Sequence, residues 1–114
     1  MDKQQTMKKE IKFTVILDEN NIPEKMEWNA SDHDKDTEEI KAFMLSIWDP
    51  KENLCKRIDL WTKEMYVEEM KMMYFQTLMT MADGLERSTN EVEAAKKMRE
   101  FGLKLAEDLK IPKQ

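Results

Sequence analysis

The spacing of apolar residues changes once along the chain, near residue 66, and this change limits the possible folds more than any other feature. Before it, apolar and polar residues alternate in short segments, which is typical of half-buried β-strands. From Val67 onward, apolar residues recur every three or four positions, as they do in α-helices. The pattern therefore predicts an α+β protein in which strands come first and helices follow.

The first two alternating segments predict an antiparallel hairpin. In "EIKFTVILDEN", one face of the strand holds Ile11, Phe13, Val15 and Leu17. In "EKMEWNA", one face holds Met26, Trp28 and Ala30. The stretch "DENNIP" between them supplies Asp and Asn residues, which tolerate the left-handed backbone of tight turns.

The segment before Asp49 fits either a helix or a strand. As a helix, its apolar residues have a suitable spacing, and Asp36 or Thr37 with Glu39 would cap its start. However, the turn-forming stretch "DPKEN" and the alternating "LCKRIDLWT" follow directly, and a tight turn between two apolar runs favours a hairpin. We therefore predict a strand at about residues 42–48, with a helix over residues 37–48 (ββαβαα) as the alternative.

Two helices are predicted after residue 66. The first runs from Val67 to about Gly84, where Gly84 and the stretch "RSTN" would stop or bend it. The second would be capped at its start by Asn90 with Glu93 or by Ser88 with Glu91, and Pro112 would end it. The predicted fold is a four-stranded antiparallel sheet (ββββαα) with the two C-terminal helices packed on one face.

The length of 114 residues suggests a single domain over residues 1–114. Within it, residues 1–8 are expected to be disordered and residues 31–39 to form an acidic loop, because both stretches are strongly polar.

The first predicted helix is unusually rich in methionine. Its apolar arc includes Met70, Met72, Met73, Met79 and Met81. Methionine fills irregular cores and also forms adaptable binding surfaces, so both interpretations stay open. The arc is wider than a single stripe, and such a helix is usually buried on more than one side. The spacing spreads the thioethers around the helix, which argues against a copper site.

No residue pattern in the chain indicates catalysis. A nucleophile needs a base beside it, and the only histidine, His33, lies in the polar stretch "SDHDKD". The two glycines cannot build a phosphate-binding loop. The stretch "DHDKD" lacks the glycine and distal glutamate of a calcium loop. We therefore predict a protein that is not an enzyme and needs neither a cofactor nor a metal.

Charge and cysteine content indicate partners and compartment. A net charge of −5 is unfavourable for nucleic-acid binding, which needs a concentrated basic surface. The single cysteine, Cys55, cannot form an internal disulfide, and the N-terminus "MDKQQTMKKE" has no apolar signal segment. The first apolar run is too short to cross a bilayer. A cytoplasmic location without membrane insertion is expected.

Several blocks of the sequence resemble one known family. In order, these are "EIKFTVILDENNIPEKMEWNA", "KAFMLSIWD", "RIDLWTKEM" and "QTLMTMAD". Together they are similar to the gliding motility protein GldC family, from about Glu10 to the last helix. Tyr66 departs from the pattern, since the family has a small residue or proline there. The resemblance implies an accessory component of the gliding apparatus, with no catalytic residues and no cofactor.

The leading functional hypothesis is an adaptor or assembly factor that binds other gliding components through protein contacts. The predicted partner-binding residues are Trp48, Asp49, Arg57, Asp59, Trp61, Lys63, Met70 and Met73. Arg57 and Asp59 alternate with Ile58 and Leu60, so they should face solvent. The alternatives are a holdase-like chaperone for secreted or unfolded chains and a small ligand-binding domain. A symmetric homodimer would be the simplest way to bury an uncovered part of the methionine arc.

Overall fold

The computed structural model describes residues 7–31 and 37–112. Within it the chain forms two compact units, residues 1–65 and residues 66–114. Five β-strands lie in the first unit: β1 (Ile11–Leu17), β2 (Pro23–Ala30), β3 (Glu38–Ile40), β4 (Ala42–Asp49) and β5 (Leu54–Trp61). Two helices lie in the second unit: α1 (Val67–Thr89) and α2 (Val92–Asp108). The α+β class and the order of strands before helices are confirmed.

The strands form two antiparallel sheets rather than the predicted single sheet of four. One sheet has the order β1-β2-β3, and the other contains β4 and β5. The difference arises at Lys41, the one residue between β3 and β4. Residues 38–49 form an almost continuous extended segment that pairs first with β2 and then, after the bend at Lys41, with β5. The predicted third strand is therefore present as β4, and the longer extended segment that contains it changes its pairing partner at Lys41.

Strand β4 confirms the choice of a strand over a helix for residues 42–48, so the helical alternative is wrong. Strand β3 also includes Glu38 and Glu39, which had been assigned to the acidic loop. Residues 32–36 of that loop lie outside the described residues, as do residues 1–6 of the predicted disordered start. The prediction of a single domain, and that of helices packed on one face of a sheet, stay predictions.

Stacked aromatic rings connect the two sheets of the first unit. Phe13 and Trp28 are paired across β1 and β2, with their ring centroids 6.4 Å apart. The ring of Phe13 also stacks on Phe43 of β4 at 4.5 Å. On the same face as Phe13, Met26 is completely buried and lies opposite Val15 and Ile40 in the strand ladders. This face carries the apolar alternation predicted for the first two strands.

Asp18 organises the turn between β1 and β2. Its Oδ1 accepts hydrogen bonds from the backbone N–H groups of Asn20 (2.8 Å) and Ile22 (3.0 Å). Asn21 has the left-handed backbone expected in such a turn (φ 63°). The other carboxylate oxygen, Oδ2, accepts a hydrogen bond from Lys63 Nζ at 2.8 Å. Asp18 therefore connects the first turn to the segment that follows β5.

Replacing Asp18 with asparagine should destabilise the protein in a pH-dependent way. The hydrogen bond from Lys63 and those from the backbone of Ile22 and Asn20 lower the pKa of Asp18 from 3.8 to about 2. A carboxylate with a depressed pKa stabilises the folded state above its unfolded pKa and loses that contribution as the pH falls through its folded pKa. In thermal melts, the Tm of Asp18→Asn should thus lie below that of the wild type. This difference should be largest near pH 5 and above, and it should shrink toward pH 2. The exposed neighbour Glu19, changed to glutamine, is the control, and a difference that grew on acidification would contradict the prediction.

The helices of the second unit differ from prediction at their ends. Gly84 lies inside α1, which continues to Thr89 and ends where Asn90 adopts a left-handed backbone (φ 63°). Neither predicted capping pair forms: Ser88 donates to the carbonyl of Gly84, and the N-cap position of α2 is Glu91, without a side-chain cap. Helix α2 ends at Asp108, before Pro112. The two helices are therefore joined by only two residues.

Close packing and ion pairs join α1 to α2. Gly102 is buried, and a Cβ atom placed there would lie 2.6 Å from Sδ of Met79. Nearby, Arg99 donates through Nη2 to Asp83 Oδ1 and to Glu86 Oε1, each at 2.9 Å. These two carboxylates, Asp83 first, raise the pKa of Arg99. Because Gly102 has no side chain, α2 can lie close to Met79 of α1. The ion pairs of Arg99 join the same two helices.

Candidate functional site

The register of the β4–β5 hairpin brings four of the predicted partner-binding residues onto one face. Residues directly opposite in an antiparallel ladder share a face, and residues two apart on one strand share it too. Trp48 is opposite Cys55, Ser46 is opposite Arg57, Met44 is opposite Asp59, and Ala42 is opposite Trp61. We call the surface formed by Trp48, Arg57, Asp59 and Trp61 the tryptophan face.

An ion pair occupies the middle of the tryptophan face. Arg57 Nη2 donates to Asp59 Oδ1 at 2.8 Å, and Arg57 Nε donates to Asp59 Oδ2 at 3.3 Å. Arg57 Nη1 also donates to the hydroxyl of Ser46 on the neighbouring strand. Two parallel contacts and a third from the side hold the guanidinium in one orientation, although the pair stays accessible to water. This fixed orientation reduces the entropy that Arg57 would lose on binding a partner.

The two tryptophans on this face are largely uncovered. The exposed fraction is 62% for Trp48 and 51% for Trp61. Their cross-strand neighbours, Cys55 and Ala42, are too small to cover an indole. Trp61 lies six positions after Cys55 along β5, so the backbone positions of Trp48 and Trp61 are about 20 Å apart, on either side of the ion pair. Large exposed aromatic surfaces beside an arginine are typical of protein interfaces.

Asp49 and Lys63 are not part of the tryptophan face. Asp49 is opposite Leu54 on the other face and holds the hairpin turn, accepting from the N–H of Lys51 (2.9 Å) and from Lys56 Nζ (2.9 Å). These contacts, the one with Lys56 first, lower the pKa of Asp49. Lys63 lies beyond the end of β5, and its ammonium group is engaged by Asp18. Both predicted residues thus have structural contacts of their own.

Met70 and Met73 lie on α1 in the second unit and are half-buried. Met73 lines a shallow groove of about 410 Å³ together with Met72, and the other lining residues are Glu68, Glu69, Gln76 and Thr77. Met81, at the other end of the arc, is 49% exposed. The methionine side chains of α1 are therefore partly buried and partly accessible to solvent.

The part of the chain that the structure describes contains no cluster of three His, Cys, Asp or Glu residues able to hold a metal ion. His33 and the acidic stretch around it lie outside this part. Cys55 is a free, exposed thiol on the tryptophan face. Neither helix of the described chain has an apolar stretch long enough to cross a bilayer.

Two further residues on the same face of the hairpin, Ser46 and Cys55, were not predicted to belong to the binding surface. Ser46 orients Arg57, and Cys55 lies beside Trp48. The sequence contains the information needed to place them. A hairpin that turns over Pro50–Asn53 pairs residues whose numbers add up to 103. Applied to "SIWDPKENLCKR", this rule pairs Ser46 with Arg57 and Trp48 with Cys55.

Five antiparallel strands followed by a helical hairpin, with an exposed aromatic and charged face on the β4–β5 ribbon, define a small α+β protein with a candidate interaction surface. The sequence model of the family described as gliding motility-associated protein GldC-like matches residues 23–111. The chain belongs to this GldC-like family. The match starts at the first residue of β2 and includes the whole tryptophan face, whereas β1 precedes it. No curated protein and no solved structure is significantly similar to the chain.

Proposed function

We propose that this protein is a cytoplasmic, non-enzymatic adaptor or assembly factor that binds another protein of the gliding apparatus through its tryptophan face. Membership of the GldC-like family supports the association with gliding motility. The arrangement of Trp48, Arg57, Asp59 and Trp61 on one face of a regular hairpin is the observation that carries the binding role.

The chemistry of the tryptophan face supports a protein partner. Tryptophan and arginine are the residues that most often dominate the energy of protein interfaces. Indoles bury a large apolar area and lose few rotamers, so they contribute affinity at low entropic cost. The Arg57–Asp59 pair presents both a donor and an acceptor to polar groups of the partner. A complementary surface would therefore have apolar pockets on either side of a polar centre.

The test is a comparison of co-purified proteins after cross-linking in a gliding cell. Tagged wild type and the double variant Trp48→Ala/Trp61→Ala are each isolated, and captured proteins are quantified by mass spectrometry. Losing interface anchors of this kind costs about 2 kcal/mol or more, so capture of the partner should fall about 30-fold.

The matched control is Ile47→Ala/Leu54→Ala. These two side chains are exposed to a similar degree (47% and 51%), but they lie on the opposite face of the same hairpin. The control should capture the partner as well as the wild type does. Equal capture by the tryptophan variant and the wild type would contradict the proposal.

A holdase-like activity is the second candidate, and the methionine-lined groove on α1 is the observation that favours it. Flexible thioethers adapt to unrelated apolar segments. If this activity is present, the purified protein suppresses aggregation of an unrelated unfolding client, and Met72→Ser/Met73→Ser abolishes the effect. A dedicated adaptor would leave client aggregation unchanged.

A further inference from the structure

Strand β5 has an edge that is not paired in the described part of the chain. It lies at the end of the β4–β5 sheet, and its ladder runs along β4 alone. The N–H of Thr62 donates to the carbonyl of Lys41 at 2.8 Å, which continues this ladder by one pair. Because hydrogen-bonded and non-hydrogen-bonded pairs alternate, even-numbered residues of β5 bond toward β4. The odd-numbered residues 55, 57, 59 and 61 direct their N–H and C=O groups to the free edge.

The sequence of this edge is self-complementary in one register only. In a two-fold antiparallel pairing of β5 with itself, Ile58 at the axis places Arg57 opposite Asp59 of the other copy, twice. A shift by one hydrogen-bonding step in one direction places Arg57 opposite Arg57. The same shift in the other direction places Asp59 opposite Asp59. Like charges directly opposite are destabilising, so the charges select the register centred on Ile58.

We propose that β5 pairs with β5 of a second copy of this chain, with Ile58 at the two-fold axis. Arg57 and Asp59 are already ion-paired within one strand. In the dimer the four charges alternate in a square, so that each charge has only opposite charges as its nearest neighbours. The two hairpins become one four-stranded antiparallel sheet, and the two tryptophan faces become one continuous surface.

The exposure of Ile58 supports a second copy of β5 as the strand that pairs with this edge. Ile58 is 47% exposed in the single chain, at a position where the dimer would pack it against its own symmetry mate. The free edge of β1 is less selective, because its one charged residue, Lys12, has no acidic counterpart on the same strand. Charge complementarity therefore favours β5 over β1. Long unpaired edges are otherwise prone to non-specific association.

The first experiment uses charge variants and sedimentation equilibrium. The wild type should sediment at twice the 13.7-kDa chain mass at micromolar concentration. Arg57→Glu alone sets acidic side chains opposite each other across the axis, and Asp59→Lys alone sets basic ones opposite each other, so each variant should be monomeric. An equimolar mixture of the two restores both opposite-charge pairs and should form a heterodimer. Circular dichroism of each variant checks that its fold is intact.

The second experiment tests the register by disulfide formation. Ile58 would form a non-hydrogen-bonded pair with its mate, with Cα atoms about 4.5 Å apart, which is within the range of a disulfide. In a Cys55→Ser background, Ile58→Cys should cross-link the two copies under mild oxidation. Lys56→Cys in the same background is the control, because its mate would lie four residues away along the strand, too far to react.

The outcomes decide the proposal in either direction. A monomeric wild type at all concentrations would overturn it, as would a dimer whose mass is unaffected by both charge variants. A mixture of the two charge variants that stays monomeric, or cross-linking of Lys56→Cys as readily as Ile58→Cys, would exclude the register centred on Ile58. These results are independent of the gliding partner, because they need only the purified chain.

Discussion

Replacing Met26 with alanine is expected to lower the free energy of unfolding by about 2–5 kcal/mol. Met26 is the largest completely buried side chain among the described residues. It lies on the face of β2 that also carries Trp28, between Val15 and Ile40. Truncation removes its transfer free energy and leaves a cavity in a core with few other fully buried side chains. Chemical denaturation followed by tryptophan fluorescence would measure the change, since the ring cluster around Phe13 and Trp28 borders this face.

The control for this change is Ile16→Ala. Ile16 pairs with Lys25 on the opposite face of the same sheet and is 44% exposed. Ile16→Ala should lower the free energy of unfolding by less than half as much as Met26→Ala does, because a side chain that is largely in water loses little transfer free energy on truncation. Equal losses from the two variants would show that the buried face does not dominate the stability of this sheet.

Replacing Gly102 with valine is expected to destabilise the helical hairpin by about 1–3 kcal/mol. The new Cβ would meet Sδ of Met79 at 2.6 Å and Cδ2 of Leu78 at 3.6 Å, and two further methyl groups need additional space. Valine has a higher helix propensity than glycine by about 0.4 kcal/mol, so the steric effect outweighs the backbone effect. Thermal unfolding followed by circular dichroism at 222 nm reports directly on the helices.

The chain supplies a matched control at its only other glycine. Gly84 also lies inside a helix, but a Cβ there would have no atom within 4 Å. Gly84→Val should thus be neutral or slightly stabilising. Adding Met79→Ala to Gly102→Val should recover part of the lost stability by opening space where the clash occurs. If Gly84→Val and Gly102→Val had the same effect, backbone propensity rather than packing would explain both.

Local patterns predicted the elements of the first unit well. The alternation of apolar residues predicted which residues of β1 and of β2 share a face, and the stacking of Phe13 on Trp28 agrees with that pattern. The turn signal at Asp49 and Pro50 decided between strand and helix for the preceding segment. The same signal determines the register of β4 with β5, so the composition of the tryptophan face follows from residues at most 13 positions apart in the chain.

Features that depend on distant parts of the chain were not predictable in the same way. The bend at Lys41 divides one extended segment between two sheets, and nothing in the local alternation marks a change of pairing partner. Lys63 was expected on the binding surface, but its ammonium group bonds to Asp18, 45 positions earlier in the chain. Such a contact depends on tertiary structure, and no local pattern around Lys63 indicates it.

The helix ends show how local signals can compete. Gly84 was a reasonable stop signal, because glycine costs about 1 kcal/mol inside a helix. The helix nevertheless continues, and α1 stops at Asn90, whose side chain tolerates the left-handed backbone. Asn90 therefore acts at the end of α1 rather than at the start of α2, where the capping pattern had placed it.

All strand ladders of the described chain, and its helix pair, join elements that follow one another directly in sequence. Contacts between near neighbours are formed with little loss of chain entropy, so such topologies fold quickly. During synthesis each hairpin can close as soon as its second half leaves the ribosome, before the next one is made. The nascent chain would then spend little time with wholly unpaired strands, and the edge of β5 would be presented to a second copy only after its own hairpin is complete.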